Sequence, residues 1–117
     1  MATQQDCIFC KIVAGEIPAA KIYEDERAVA FSDINPQAPM HALVIPRAHV
    51  ASLNDASESD EALLGHLLRV AARVAADEGH AGEGYRTVVN TGARAGQTVF
   101  HVHVHVLGGR TLAWPPG

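Results

Sequence analysis

The segment Val99-Phe100-His101-Val102-His103-Val104-His105-Val106-Leu107 constrains the fold more than any other part of the chain. Its alternation has the two-residue period of a β-strand, in which successive side chains point to opposite faces. Such a strand puts His101, His103 and His105 on one side and Phe100, Val102, Val104 and Val106 on the other, as a core-facing row. Imidazole titrates near neutrality, so three in register offer nucleophile, acid and base chemistry at cellular pH. They do not offer one metal site. Each i, i+2 step covers about 6.6 Å, which sets His101 and His105 about 13 Å apart at the backbone, whereas a zinc–nitrogen bond is only about 2.1 Å. Two neighbours could share an ion, but the row of three reads as metal-free chemistry.

With 117 residues the chain makes one domain, 1–117, long enough to bury a core of its own. An apolar fraction of 48% and a charged fraction of 19% are globular values and exclude a disordered chain. The formal charge of −4 argues against nucleic-acid binding, although a small anion needs only a local pocket of donors. Met1 to Asp6 is short and polar and no long apolar run follows it, so no membrane span or signal peptide is expected and the expected location is cytoplasmic. In that reducing setting, Cys7-Ile8-Phe9-Cys10 reads as a metal half-site or a pair of buried thiols in preference to a disulfide.

Cys7 to Ala14 is an apolar stretch of one or two helical turns, stopped by Gly15 and Pro18. Lys21 to Tyr23 and Ala28 to Ser32 read as strands joined by the polar turn Glu24-Asp25-Glu26-Arg27. Asn35 to Pro39 is a loop, His41 to Pro46 an apolar strand, Tyr85 to Asn90 another strand, and Gly92 to Gly96 a glycine-rich bend. Ser57 to Glu78 is the one long helix. Ser57 caps it, Glu58, Asp60 and Glu61 suit the positive end of its dipole, and Gly79 fits its left-handed stop. Leu63, Leu67, Val70 and Val74 form its buried stripe, widened by Leu64 and Ala71. His66 and His80 read as exposed or partly exposed residues outside any site. Strands outnumber helices, which predicts an α+β fold with a largely antiparallel sheet.

The motif His101-Val-His-Val-His-Val-Leu107 resembles the signature of the histidine triad (HIT) superfamily. Asp33 to Pro39, His41 to Pro46, Val88-Val89-Asn90, Gly96-Gln97, Gly108-Gly109-Arg110 and Trp114-Pro115-Pro116-Gly117 are similar to its Hint branch of purine nucleoside phosphoramidases. The resemblance implies a HIT-like fold: a mainly antiparallel five-stranded sheet, one long helix and a short N-terminal helix. It implies that His103 is the nucleophile, forming a nucleotidyl-histidine, with His101, His105 and His41 supporting it. It further implies that the backbone carbonyl of His105 orients the nucleophile. Ile8, Phe9, Ile12, Phe31, Asp33 and Ile34 fall on the family's nucleoside pocket, and Asn90, Gly96, Gln97 and Thr98 on its phosphate and leaving-group positions. Thr98 stands where relatives often have serine, and Ser32 where some have histidine. Cys7, Cys10, His49 and His101 match a structural zinc set found in some HIT proteins, a site that would not contact substrate. No cofactor is implied for catalysis itself. The resemblance also implies a two-fold homodimer, with Trp114 near the partner's leaving-group pocket. The alternative activities are dinucleoside polyphosphate hydrolysis and a nucleotide-binding scaffold role, with no membrane or nucleic-acid partner in any case.

Overall fold

A computed structural model describes Gln4–Gly117; Met1 to Thr3, the start of the polar lead-in, lie outside the described residues. The elements are α1 (Ile8–Val13), β1 (Lys21–Glu24), β2 (Ala28–Ser32), β3 (Met40–Pro46), α2 (Glu61–Asp77), β4 (Tyr85–Val88) and β5 (Val104–Gly108). The five strands form one antiparallel sheet in the order β1-β2-β3-β5-β4. No helix among the described residues is long and apolar enough to cross a membrane.

The central strands are apolar on both faces because both are covered. Ala28, Ala30, Met40, Ala42 and Val44 pack with Val102, Val104 and Val106 against Leu67, Val70, Ala71, Val74 and Ala75 of α2. On the other face Val29, Phe31, Leu43 and Ile45 pack against Phe9 and Ile12 of α1. The two-residue period of β2 and β3 thus feeds two separate cores.

Helix α2 is shorter than the span 57–78. Glu58–Asp60 form a 3₁₀ turn first, because Ser57 and Asp60 close a reciprocal capping box there. The helix ends before Gly79, which takes the left-handed φ of 88° that suits glycine. Its buried stripe begins at Leu67; Leu63 and Leu64 are only half-buried. Strand β4 stops at Val88, two residues short of Asn90.

The triad segment departs most from the sequence expectation. Regular strand begins only at Val104, so His101 and His103 precede the ladder. The chain bends at Val99 to His101, and the Val102 N–H turns away to the carbonyl of Val50 at 2.6 Å. The bend also lifts Phe100 off the core: it is 50% exposed, whereas Val102, Val104 and Val106 do face α2.

Candidate functional site

The face of the sheet beside α1 carries the histidines. Leu43 pairs with His105 across β3 and β5, and Leu43 packs in the α1-side core, which places His105 on that face. His41, two residues before Leu43, shares it and sits diagonal to His105, within reach of a long side chain. The ring of His103 lies 5.0 Å from that of His105 and meets the edge of Phe9 at 5.2 Å, centroid to centroid.

Hydrogen bonds fix which nitrogens carry protons. A backbone N–H can only donate, and Gln37 N–H points at His41 Nδ1, 3.0 Å away. Neutral His41 therefore carries its proton on Nε2, which faces His105 Nδ1 at 2.9 Å and Asp33 Oδ2 at 3.4 Å. His105 Nδ1 must then accept, which leaves the N–H on its Nε2. His103 Nδ1 lies 2.8 Å from a backbone carbonyl, an acceptor only, so its Nε2 is the bare nitrogen. That carbonyl belongs to His101. The expectation that His105 supplies it is corrected, because the bend before β5 turns the i−2 carbonyl back onto the ring.

Asp33, His41 and His105 converge closely enough to hold a cation. Gln37 N–H occupies the Nδ1 lone pair of His41, so His41 could bind a metal through Nε2 only as an imidazolate. This cluster is built for a proton. Burial pushes His105 down to about 4, helped by His103 and His41 and opposed by Asp33. Burial also lowers His41, against the pull of Asp33.

A stability consequence follows for His105. Its unfolded value is near 6.5, so as pH falls below that the unfolded chain takes up a proton that the fold resists until about 4. Stability therefore rises with pH across this window and is lost as pH falls through it. Between pH 7 and pH 5 this group alone withdraws about 2 kcal/mol. Urea unfolding at the two pH values is expected to show the loss, and His105→Gln to flatten it. An identical pH slope in the variant would contradict the assignment.

A second cluster joins Cys7, Cys10, His49 and His101. Cys7 Sγ is 3.3 Å and Cys10 Sγ 3.5 Å from His101 Nδ1, and Cys10 Sγ is 3.4 Å from His49 Nδ1. With Zn–S about 2.3 Å and Zn–N about 2.1 Å, a tetrahedral site has S···N edges of about 3.6 Å. The donors fit. His101 Nε2 donates to the Pro46 carbonyl at 2.8 Å, which leaves Nδ1 free to ligate and fixes the ring as second-sphere partners of metal-bound histidine do. Cys10 N–H donates to Cys7 Sγ at 3.3 Å, which holds that sulfur at the start of α1. His101 is fully buried, with one nitrogen at the Pro46 carbonyl and the other at the two cysteine sulfurs.

The remaining sequence candidates divide. Phe9, Ile12 and Phe31 are buried together, with Phe9 edge-on to Phe31, His101 and His103. Ile8 is exposed beside them, Ile34 is 100% exposed, and Asp33 also accepts the Asn35 N–H. Asn90 is partly buried, Thr98 is exposed, and Gly96 adopts a left-handed φ of 99°. Gln97 is spent on the backbone: Oε1 accepts from Gly92 N–H and Nε2 donates to the carbonyls of Ala51 and Val99. Trp114 is 80% exposed, with the Arg86 guanidinium 5.9 Å from its ring centre. The groups that sequence reasoning missed are the Gln37 N–H and the carbonyls of Pro46 and His101. Backbone groups leave no residue-type signal.

The family model described as HIT domain matches residues 14–112. An uncharacterized HIT-like protein of Synechococcus elongatus is 57% identical over 97% of this chain and 98% of its own length. Among solved structures, a HIT family hydrolase from Legionella pneumophila superposes with a TM-score of 0.94 at 49% identity, covering 96% of this chain and 100% of that one. A histidine triad protein from Clostridium difficile gives a TM-score of 0.91 at 44% identity, over 94% and 96% of the two chains. The match extends over nearly the whole chain, and this protein belongs to the HIT domain family.

Proposed function

We propose that this protein hydrolyses the P–N bond of purine nucleoside phosphoramidates, releasing a nucleoside monophosphate and an amine. The proton pattern of the triad carries the reading: a bare Nε2 on His103 stands beside an Nε2–H on His105, each set by the hydrogen bond at the other ring nitrogen. Likeness to the Legionella hydrolase supports hydrolysis as the reaction class. His103 Nε2 attacks the α-phosphorus and the P–N bond to the amine breaks; the departing nitrogen takes a proton from solvent while His105 Nε2–H holds it by a donated hydrogen bond. Water then attacks the nucleotidyl-histidine, the P–N bond to His103 breaks, and the water's proton is released to solvent, which restores the proton taken up in the first step. His41 holds the His105 tautomer through both steps.

Ile8, Phe9, Ile12 and Phe31 offer the purine an apolar wall, and Asp33 can accept from ribose hydroxyls. Asn90 and Thr98 are the donors for phosphate oxygens, and Gly96, whose N–H is bonded to the Ala93 carbonyl, turns the chain that leads to Thr98. Gln97 acts indirectly, bracing the loop that carries them. Adenosine 5′-phosphoramidate and a diadenosine polyphosphate, compared at equal concentration without added magnesium, test the substrate. At least tenfold higher kcat/KM on the phosphoramidate is expected, about 1.4 kcal/mol of transition-state preference. Faster cleavage of the diadenosine compound would reassign the activity, and binding without turnover of either would make the protein a scaffold.

Zinc at Cys7, Cys10, His49 and His101 is part of the same reading. When bound it would cross-link α1, the segment after β3 and the bend before β5, taking no part in the chemistry. A two-fold homodimer is proposed as well. Leu68 on the outer side of α2 is 51% exposed, and among the described residues β4 is an edge strand with no neighbour on its outer side. Light scattering at micromolar concentration is expected to give twice the chain mass; a fully active monomer would refute the dimer.

A further inference from the structure

On the opposite face of the sheet from His103, a cleft of about 570 Å³ opens between the β1–β2 hairpin and α2. Tyr23 and Arg27 line one wall; His66, Arg69 and Arg73 line the other. Three of the chain's seven arginines therefore meet in one hollow, in a chain whose formal charge is −4. The three helix residues share one side of α2, since they stand at i, i+3 and i+7. This side faces the hairpin, away from exposed Leu68.

The cluster is organised from below by Asp25. Its carboxylate accepts from the backbone N–H groups of Arg27 and Ala28 and from Tyr23 Oη–H, and lies 2.7 Å from His66 Nε2. Burial opposes its charge, but these four bonds outweigh that and hold the Asp25 pKa well below the usual carboxylate range. The carboxylate is thus saturated by donors that are not the guanidiniums. Arg27 Nη2 donates to His66 Nδ1 at 3.1 Å, so His66 Nε2 carries the proton given to Asp25. Arg73 lies over the Tyr23 ring, 5.8 Å from its centre. Its only ion pair among the described residues is a solvent-exposed one with Asp77, a contact of little energetic weight. Arg69, between them on the helix, has no ion pair among the described residues. Two guanidiniums are held in place and a third is uncommitted, around a hollow large enough for several phosphate groups.

We propose that this cleft is a second oxyanion site, separate from the triad, that takes the phosphoanhydride chain of a small polyphosphate. Planar guanidinium forks suit phosphate oxygens, and three of them match a ligand with several negative charges better than a single carboxylate. The chain could be free inorganic polyphosphate or the tail of a nucleoside triphosphate. The site stands whether or not the P–N chemistry does, because it shares no residue with it.

The test is titration of inorganic tripolyphosphate into ¹⁵N-labelled full-length protein at physiological salt, followed by amide shifts. Saturable shifts are expected at Tyr23 to Ala28 and Ala62 to Arg73, and should persist in protein presaturated with AMP. Arg69→Ala with Arg73→Ala keeps good helix formers on an exposed surface, so the fold should survive. That variant is expected to raise the dissociation constant at least about tenfold, the loss of about 1.4 kcal/mol, with phosphoramidate turnover unchanged. A non-hydrolysable ATP analogue that binds more tightly than tripolyphosphate identifies the nucleotide as the source, and the reverse order identifies free polyphosphate. Non-saturating shifts, or equal affinity in the double variant, would overturn the site.

Discussion

Replacing His103 by alanine is expected to abolish phosphoramidate turnover, lowering kcat by about 10⁴-fold or more, while AMP affinity changes by less than about tenfold. The expectation rests on a division of labour. His103 is the one triad ring whose outward nitrogen is bare, because its Nδ1 is tied to the His101 carbonyl. His105 and His41 present hydrogens instead, and His101 is buried with its nitrogens turned to Pro46 and the two cysteines. No neighbour can replace the nucleophile without breaking a hydrogen bond that sets its tautomer. Binding should persist, because the apolar wall at Phe9 and Phe31 and the carboxylate of Asp33 are untouched. Rapid-quench mass spectrometry checks the same point in the native protein, where one adenylyl group should attach to the peptide containing His103. Near-native turnover in His103→Ala would end the covalent mechanism. An adduct on His101 or His105 would move the nucleophile.

Much of this arrangement was legible in the residues themselves. Alternation across Val102 to Val106 predicted the core-facing row that packs on α2, and the apolar run His41 to Pro46 predicted the strand that is buried along its length. The bend at Val99 to His101 was not legible. Periodicity continues through it, and only the diversion of the Val102 N–H to Val50 breaks the ladder. The tautomers were invisible for a related reason, since they depend on backbone groups at Gln37, Pro46 and His101 that every residue type supplies. Gln97 illustrates the opposite error of attraction. The resemblance puts Gln97 among the phosphate and leaving-group positions, yet its amide is consumed in holding the loop closed. The Asp25–His66 pair joins positions 41 residues apart and belongs to no motif, so only folding reveals it.

Cys7→Ser with Cys10→Ser is expected to remove about one zinc per chain from protein purified without chelator and to lower Tm by at least about 10 °C. The four donors come from three segments, otherwise joined by the Val102–Val50 and His101–Pro46 hydrogen bonds and by Phe9 packed on His101. Helix α1 has only six residues, too few to persist by propensity alone, and it is held by burial of Phe9 and Ile12 and by the Cys7 cap on Cys10 N–H. His49 lies in the segment after β3, and His101 in the bend outside the ladder. A tetrahedral ion would tie these segments at one point, so its loss frees all three together. The consequence reaches catalysis through one atom: the carbonyl of metal-site residue His101 receives the His103 Nδ1–H. Loosening that bend should let the nucleophile change tautomer, so kcat should fall in the serine variant more than nucleotide affinity does. Elemental analysis, thermal melts with and without added zinc, and single-turnover rates on one preparation separate the effects. Freshly purified native protein with no metal and a melting point indifferent to zinc would leave Cys7 and Cys10 as packed thiols. A metal-free serine variant with full single-turnover rate would show that the bend holds His103 without help.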